Sequence, residues 1–271
     1  MKKSRIAAAL FLSLTSASAF SVNDNSYHNE AQLEFQSSSE NFSDGDWDLN
    51  YRYYASPVDQ SKVPYALSGF LAQSSSIGAH FKFNNDITDY RTYGIQGQYV
   101  FDSKWYIDGV IDASDNNPDA SSANNATTYG IGGGYYFNDT SVVYLTYRRT
   151  DQSQGMEDTD RYTLGVKGYL PVKVTEGILM GAELNNYHYS TAGVTSTTDY
   201  NIYADWYITR PWSFGASYTL EDQSDTDDIF SINTAYFLRL TDMLSARIEV
   251  EKQLDPNEDG VTGKLILNGR F

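Results

Sequence analysis

Thr262-Gly263-Lys264-Leu265-Ile266-Leu267-Asn268-Gly269-Arg270-Phe271 closes the sequence with a period of two. Gly263, Leu265, Leu267, Gly269 and Phe271 fall on one face of a strand. Thr262, Lys264, Asn268 and Arg270 fall on the other, with Ile266 the one apolar residue among them. Such a strand needs an apolar medium on one side and water on the other. Soluble domains seldom end on an aromatic in mid-strand, because termini fray.

The same alternation recurs upstream. Strands are expected near 28–36, 46–55, 76–84, 90–101, 104–113, 127–137, 141–150, 160–170, 177–188, 198–209, 212–222, 229–240, 243–253 and 262–271. Their lengths suit the ~9–11 residues that a tilted strand needs to cross a bilayer. Short turns at Asp102-Ser103, Asn138-Asp139, Arg210-Pro211 and Thr241-Asp242 are separated by longer polar connections at 37–45, 114–126, 151–159, 189–197, 223–228 and 254–261. If the short turns lie in the periplasm, the long loops lie outside and both termini are periplasmic. That parity demands an even strand number. The fold expected is all-β, an antiparallel up-and-down transmembrane β-barrel over residues 20–271, with about fourteen strands and twelve or sixteen as the alternatives. Ser56 to Ser75 breaks the rhythm where a tight turn is due. With Pro57, Pro64 and Tyr65-Ala66-Leu67-Ser68-Gly69-Phe70-Leu71, it reads as a short helix, a rim segment or part of an extra strand.

The two faces differ in chemistry. Tyr129, Ile131, Gly133, Tyr135 and Phe137 form an outward series, as do Tyr200, Ile202, Ala204, Trp206 and Ile208. Charges are nearly absent there, as lipid requires. Aromatics cluster at two heights: Phe101, Trp105, Phe137, Trp206, Trp212 and Phe271 beside the short turns, and Trp47, Tyr93, Tyr129, Tyr147, Tyr162, Tyr200, Tyr218 and Phe230 beside the long loops. Two such girdles mark the two membrane interfaces. The inward face carries the expected pore-lining residues: Glu34, Asp48, Arg52, Lys82, Asp108, Asp112, Arg148, Lys167, Glu183, Asp205, Arg239, Arg247, Glu249 and Lys264. Gly130, Gly132 and Gly134 face the same way and leave room for larger neighbours. A barrel of this size is too wide for side chains to fill, so water in the lumen is expected.

Lys2, Lys3 and Arg5, the apolar run Ile6 to Leu14, and Ala17-Ser18-Ala19 make a secretory signal peptide over 1–19, cleaved after Ala19. The absence of cysteine excludes disulfides and thiol chemistry. A net charge of −16 argues against nucleic acid as a partner. No cofactor, metal or catalytic residue is expected. His188-Tyr189-Ser190 lacks the Asn context of a barrel phospholipase, and the acidic cluster Asp225, Asp227, Asp228 has no histidine beside it. Asp255-Pro256-Asn257-Glu258-Asp259-Gly260 starts like a calcium loop, but Ile266 stands where its last ligand belongs.

Pro64 to Phe81, reading PYALSGFLAQSSSIGAHF, resembles the P-x-A-x-x-x-FL-x-x-SSS region of the general porin family of Gram-negative bacteria. Leu67-Ser68-Gly69 stands where members of that family often carry a glutamate. The terminal Phe271 on an amphipathic strand resembles the signal read by the barrel assembly machinery. The resemblance implies residence in the cell outer membrane, in contact with lipid and lipopolysaccharide. It implies passive diffusion of small hydrophilic solutes through a water-filled lumen, with a homo-oligomer possible. A substrate-selective channel for an oligosaccharide or organic ion is one alternative, and a non-conducting adhesin or phage receptor another. The acidic external loops predict a mild preference for cations.

Overall fold

The computed structural model describes residues 26–61, 63–84, 90–116, 124–153, 157–190, 196–222 and 227–271; the expected signal peptide lies outside them, as does Asp225. Fourteen strands form: β1 Ser26–Ser38, β2 Asp46–Asp59, β3 Ser76–Asn84, β4 Tyr90–Val100, β5 Trp105–Asn116, β6 Asn124–Asn138 and β7 Ser141–Gln152, then β8 Thr159–Pro171, β9 Gly177–Tyr189, β10 Thr197–Tyr207, β11 Trp212–Glu221, β12 Ile229–Arg239, β13 Leu244–Asp255 and β14 Thr262–Arg270. Each pairs with its sequence neighbours, and β14 pairs with β1 to close the barrel. Closure leaves no sheet edge with unpaired backbone groups, which a strand in lipid cannot tolerate.

The closing seam runs in register from Glu30 opposite Arg270 to Ser38 opposite Thr262. Phe271 extends it: its N–H donates to the Asn29 carbonyl at 2.9 Å, and the Asn29 N–H donates to its carbonyl at 2.7 Å. The outward residues invert the pattern of a soluble protein. Ile131 is 66% exposed, Ile77 62% and Leu145 59%, and Trp105 is 57% exposed in the girdle beside the short turns. Contiguous exposed apolar surface around a closed barrel is what lipid covers.

The short turns have local causes. The Asn138 side-chain oxygen accepts the Thr140 N–H at 2.8 Å, an Asx turn joining β6 to β7. Lys104 takes a positive φ of 66° to turn β4 into β5. Its ammonium reaches Asp139 of the neighbouring turn at 2.6 Å. That hydrogen bond holds the Asp139 carboxyl below its usual range.

The irregular segment after β2 resolves as a short helix, one of the three expected forms. A 3-10 turn at Tyr65–Leu67 runs into a single helical turn α1, Ser68–Leu71. It folds inward rather than along the rim. Leu67 packs in a cluster with Tyr169 of β8, Leu179 of β9 and Tyr207 of β10. Phe70 packs against the cluster of Tyr106, Tyr136 and Val142 on β5, β6 and β7. Tyr65 meets Phe237 of β12 with ring centroids 5.4 Å apart, and the Ser68 hydroxyl lies 3.0 Å from that of Tyr27 on β1. β1 and β8 are opposite one another in a ring of fourteen. Only a segment inside the barrel can touch both, so 63–73 forms a plug across the lumen at the short-turn rim. The physical cause is a run of apolar side chains that follows Pro57 and Pro64 and has no strand to pair with.

Candidate functional site

The barrel sets the size of the site. Fourteen strands about 4.8 Å apart and tilted about 40° give a wall roughly 28 Å across, and side chains on both sides leave a lumen of roughly 16 Å. A helix with its side chains is about 10–12 Å thick, so the plug takes most of the short-turn mouth.

Its principal anchor is Arg270. The guanidinium donates to Glu30 Oε1 at 2.8 Å, to Gln60 Oε1 at 3.1 Å and to the Tyr65 carbonyl at 3.0 Å. It lies 5.0 Å from the Tyr27 ring and 5.1 Å from that of Phe237. The Tyr54 hydroxyl donates to the second Glu30 oxygen at 3.1 Å. Glu30 and Arg270 are both buried and face each other across the β1–β14 seam. One ion pair thus ties the seam to the plug. Sequence reasoning missed Glu30, Gln60 and the role of Arg270.

All fourteen sequence-predicted lumen residues have the same parity as Glu30 and Arg270, the face against which the plug packs. Several meet. Lys82 lies 3.2 Å from Asp48, Lys264 3.6 Å from Glu34, and Arg247 2.6 Å from Glu249. Asp112 meets His80 at 3.3 Å. Arg239 pairs with Asp242 at the rim, 3.6 Å away, and its guanidinium lies over the Tyr65 ring. Lys167 sits 4.5 Å from the centre of the Phe70 ring. Glu183 accepts a hydrogen bond from the Tyr144 hydroxyl. Arg52, Asp108 and Arg148 line one cavity of about 160 Å³.

Inward glycines lie beneath these meetings. Gly94 of β4 sits between His80 of β3 and Asp112 of β5, and a Cβ there would strike both. Gly215 of β11 leaves the same room for Asp205 and Asn233. Gly165 of β8 lies under the Tyr144 ring as it reaches Glu183 on β9. A glycine on the middle strand lets side chains two strands apart touch over it, which gives the residues at Gly130 and Gly132 a physical reason too.

The other candidates are structurally occupied. Ser190 Oγ accepts the Asp158 N–H at 3.0 Å, and His188 faces outward opposite Asp160. In the calcium-like loop, Lys252 donates to the Glu258 carbonyl and, at 3.1 Å, to that of Gly260. An ammonium sits there among the acidic residues.

Solved structures of outer-membrane proteins share the fold, two of them as follows. One is the Acinetobacter baumannii outer membrane protein Omp33, 19% identical, with a TM-score of 0.60 over 92% of this chain and 100% of that one. The other is described as a bacterial polysaccharide outer membrane secretin, 10% identical, with a TM-score of 0.58 over 92% and 100% of the two chains. No curated protein matches. The family described as "Putative general bacterial porin" matches residues 1–262. With a closed fourteen-strand barrel, an apolar outer face and this match, the chain belongs to the general bacterial porin family and is a transmembrane protein of the cell outer membrane.

Proposed function

We propose that the protein is a passive channel for small hydrophilic solutes, with its short-turn rim in the periplasm. Solutes enter past the long loops, cross a charged lumen and leave around the plug. The observation that carries this reading is the inward face: seven acidic and seven basic residues among the fourteen candidates, in a lumen too wide for side chains to fill. Hydrated charges of both signs set a transverse field, and the plug lowers the size limit. The acidic external loops add a mild preference for cations at the entrance. Lipid and lipopolysaccharide surround the outer face, and the assembly machinery reads Phe271.

Planar-bilayer recording of the purified, folded protein tests this. Discrete conductance steps are expected, with a reversal potential in a KCl gradient displaced toward that of potassium. A folded protein with no conductance would favour a surface role such as adhesin or phage receptor, and a reversal potential favouring chloride would remove the cation preference.

The plug favours one second reading, a substrate-selective channel. A mouth crossed by Leu67 and Phe70 restricts passage more than a general diffusion pore requires. Liposome swelling with uncharged solutes of graded size separates the two, since rates that fall smoothly with size alone would argue against selectivity.

A further inference from the structure

The cavity lined by Arg52, Ser76, Gln96, Gln98, Asp108 and Arg148 has a composition unlike the rest of the wall. Elsewhere the inward charges are mostly paired, as Lys82 is with Asp48 and Lys264 with Glu34. Arg52 and Arg148 have neither an ion pair nor a hydrogen bond among the described residues. The natural partner of Arg52 across the ladder is Glu30, and Arg270 already holds Glu30. Arg148 and Asp108 line the same cavity. Two guanidiniums, one carboxylate and two amides therefore meet in one polar recess.

The glycine run of β6 shapes that recess. A Cβ on Gly132 would stand 2.8 Å from both carboxylate oxygens of Asp108, and one on Gly130 would stand 3.1 Å from Arg148 Cγ. Any side chain at these positions would displace a group that lines the recess. Gln98 is held in turn: its Nε2 donates to the Tyr136 hydroxyl at 3.1 Å, and Tyr136 belongs to the cluster that seats Phe70 of the plug. The recess thus adjoins the narrowest part of the route.

We propose that this recess is a binding subsite for small zwitterions, with free α-amino acids as the chemical class. The carboxylate of the solute lies between Arg52 and Arg148, where guanidiniums bind carboxylates in a planar, forked geometry. Its ammonium faces Asp108, and a polar side chain meets Gln96 and Gln98. The volume of 160 Å³ equals that of about five waters, room for a solute of roughly six to ten heavy atoms. A simple carboxylate would fill the arginine half and leave Asp108 facing it with nothing to bind. A simple amine would meet two uncompensated cations. The proposal deepens the channel reading and names the solutes it favours.

Isothermal titration calorimetry on the whole, detergent-solubilised barrel tests it, because the recess opens to the lumen whether or not ions pass the plug. The probes are glutamine, butyrate and butylamine. Glutamine is expected to bind, butyrate about tenfold more weakly for want of the ammonium contact, and butylamine not at all. Arg52→Gln and Arg148→Gln should each weaken glutamine about tenfold, and Asp108→Asn should bring glutamine down to the level of butyrate. Arg148→Lys keeps the charge but not the fork and should fall between, which guards against a variant that fails to fold. No glutamine heat in the wild-type protein, equal binding of butylamine, or an Arg52→Gln/Arg148→Gln double variant that binds like wild type would each overturn the subsite. Conductance in KCl is recorded on the same preparations: its absence removes the channel reading and leaves the subsite standing, and its presence without glutamine binding does the reverse.

Discussion

Excising the plug should raise single-channel conductance about twofold. Ser56 and Ser74 already lie side by side: the Ser56 N–H donates to Ser74 Oγ at 3.0 Å, and the Ala55 N–H donates to the Ser75 carbonyl at 2.8 Å. Replacing residues 57–73, the plug together with the last three residues of β2, with Asn-Gly therefore closes β2 onto β3 with a two-residue hairpin of the favoured type. A lumen of roughly 16 Å has an open area of about 200 Å², and a helix some 12 Å long and 11 Å thick lying across it covers about 130 Å². The plug occupies about 40% of a membrane band roughly 25 Å tall, so in series with the open remainder it contributes about two-thirds of the electrical resistance. Removing it leaves a uniform tube with a little under 60% of the original resistance, a rise in conductance of about 1.7-fold, close to twofold. The assay is planar-bilayer recording at fixed KCl, with circular dichroism as the check on folding. Conductance within about 20% of wild type in a folded deletion would refute the reasoning, since a threefold change in open area at the plug cannot be so small.

Three further outcomes are expected. Arg270→Met should lower stability to unfolding in detergent by about 3–5 kcal/mol, because it strands the buried Glu30; adding Glu30→Gln should recover part of the loss, and a neutral single variant would deny the pair its structural role. Ile131→Arg should cost about 2–4 kcal/mol in lipid vesicles, whereas Thr146→Arg on the inward face of β7 should be near neutral; equal costs in urea titrations would contradict the assignment of faces. Removing Phe271 should reduce the folded protein recovered from outer membranes, and recovery at wild-type level would count against its role in assembly.

The strands were legible because two solvents impose one period. Lipid outside and polar groups inside force alternation, so β3 was expected at 76–84 and found at Ser76–Asn84. Strand ends were less legible. β6 begins at Asn124 rather than 127 and β2 runs to Asp59 rather than 55, because ladder pairing continues past the lipid, where no alternation is needed. The inward direction of the plug was hidden for another reason. Its apolar residues define no partner by themselves; the partner is the set of tyrosines that share the lumen parity near the short turns, Tyr106, Tyr136, Tyr169 and Tyr207. A merely hydrated wall has no use for four such rings, and that was the available signal. The Glu30–Arg270 pair spans 240 positions in sequence and exists only once the seam register is fixed. The candidate lumen charges were placed by parity alone, which tells the face but not the neighbour: whether Arg52 is paired depends on Arg270 having taken Glu30.

The anchors of the plug also order events in time. They come from β1, β5 to β10, β12 and β14, so the plug has no complete seat until β14 has paired with β1. Contacts so distant in sequence form late, after the loop-closure entropy between them has been overcome. A barrel still being built therefore lacks a fully seated plug, and the final narrowing of the short-turn mouth comes last in its maturation. Residues 63–73, made early, wait for one of the last residues made.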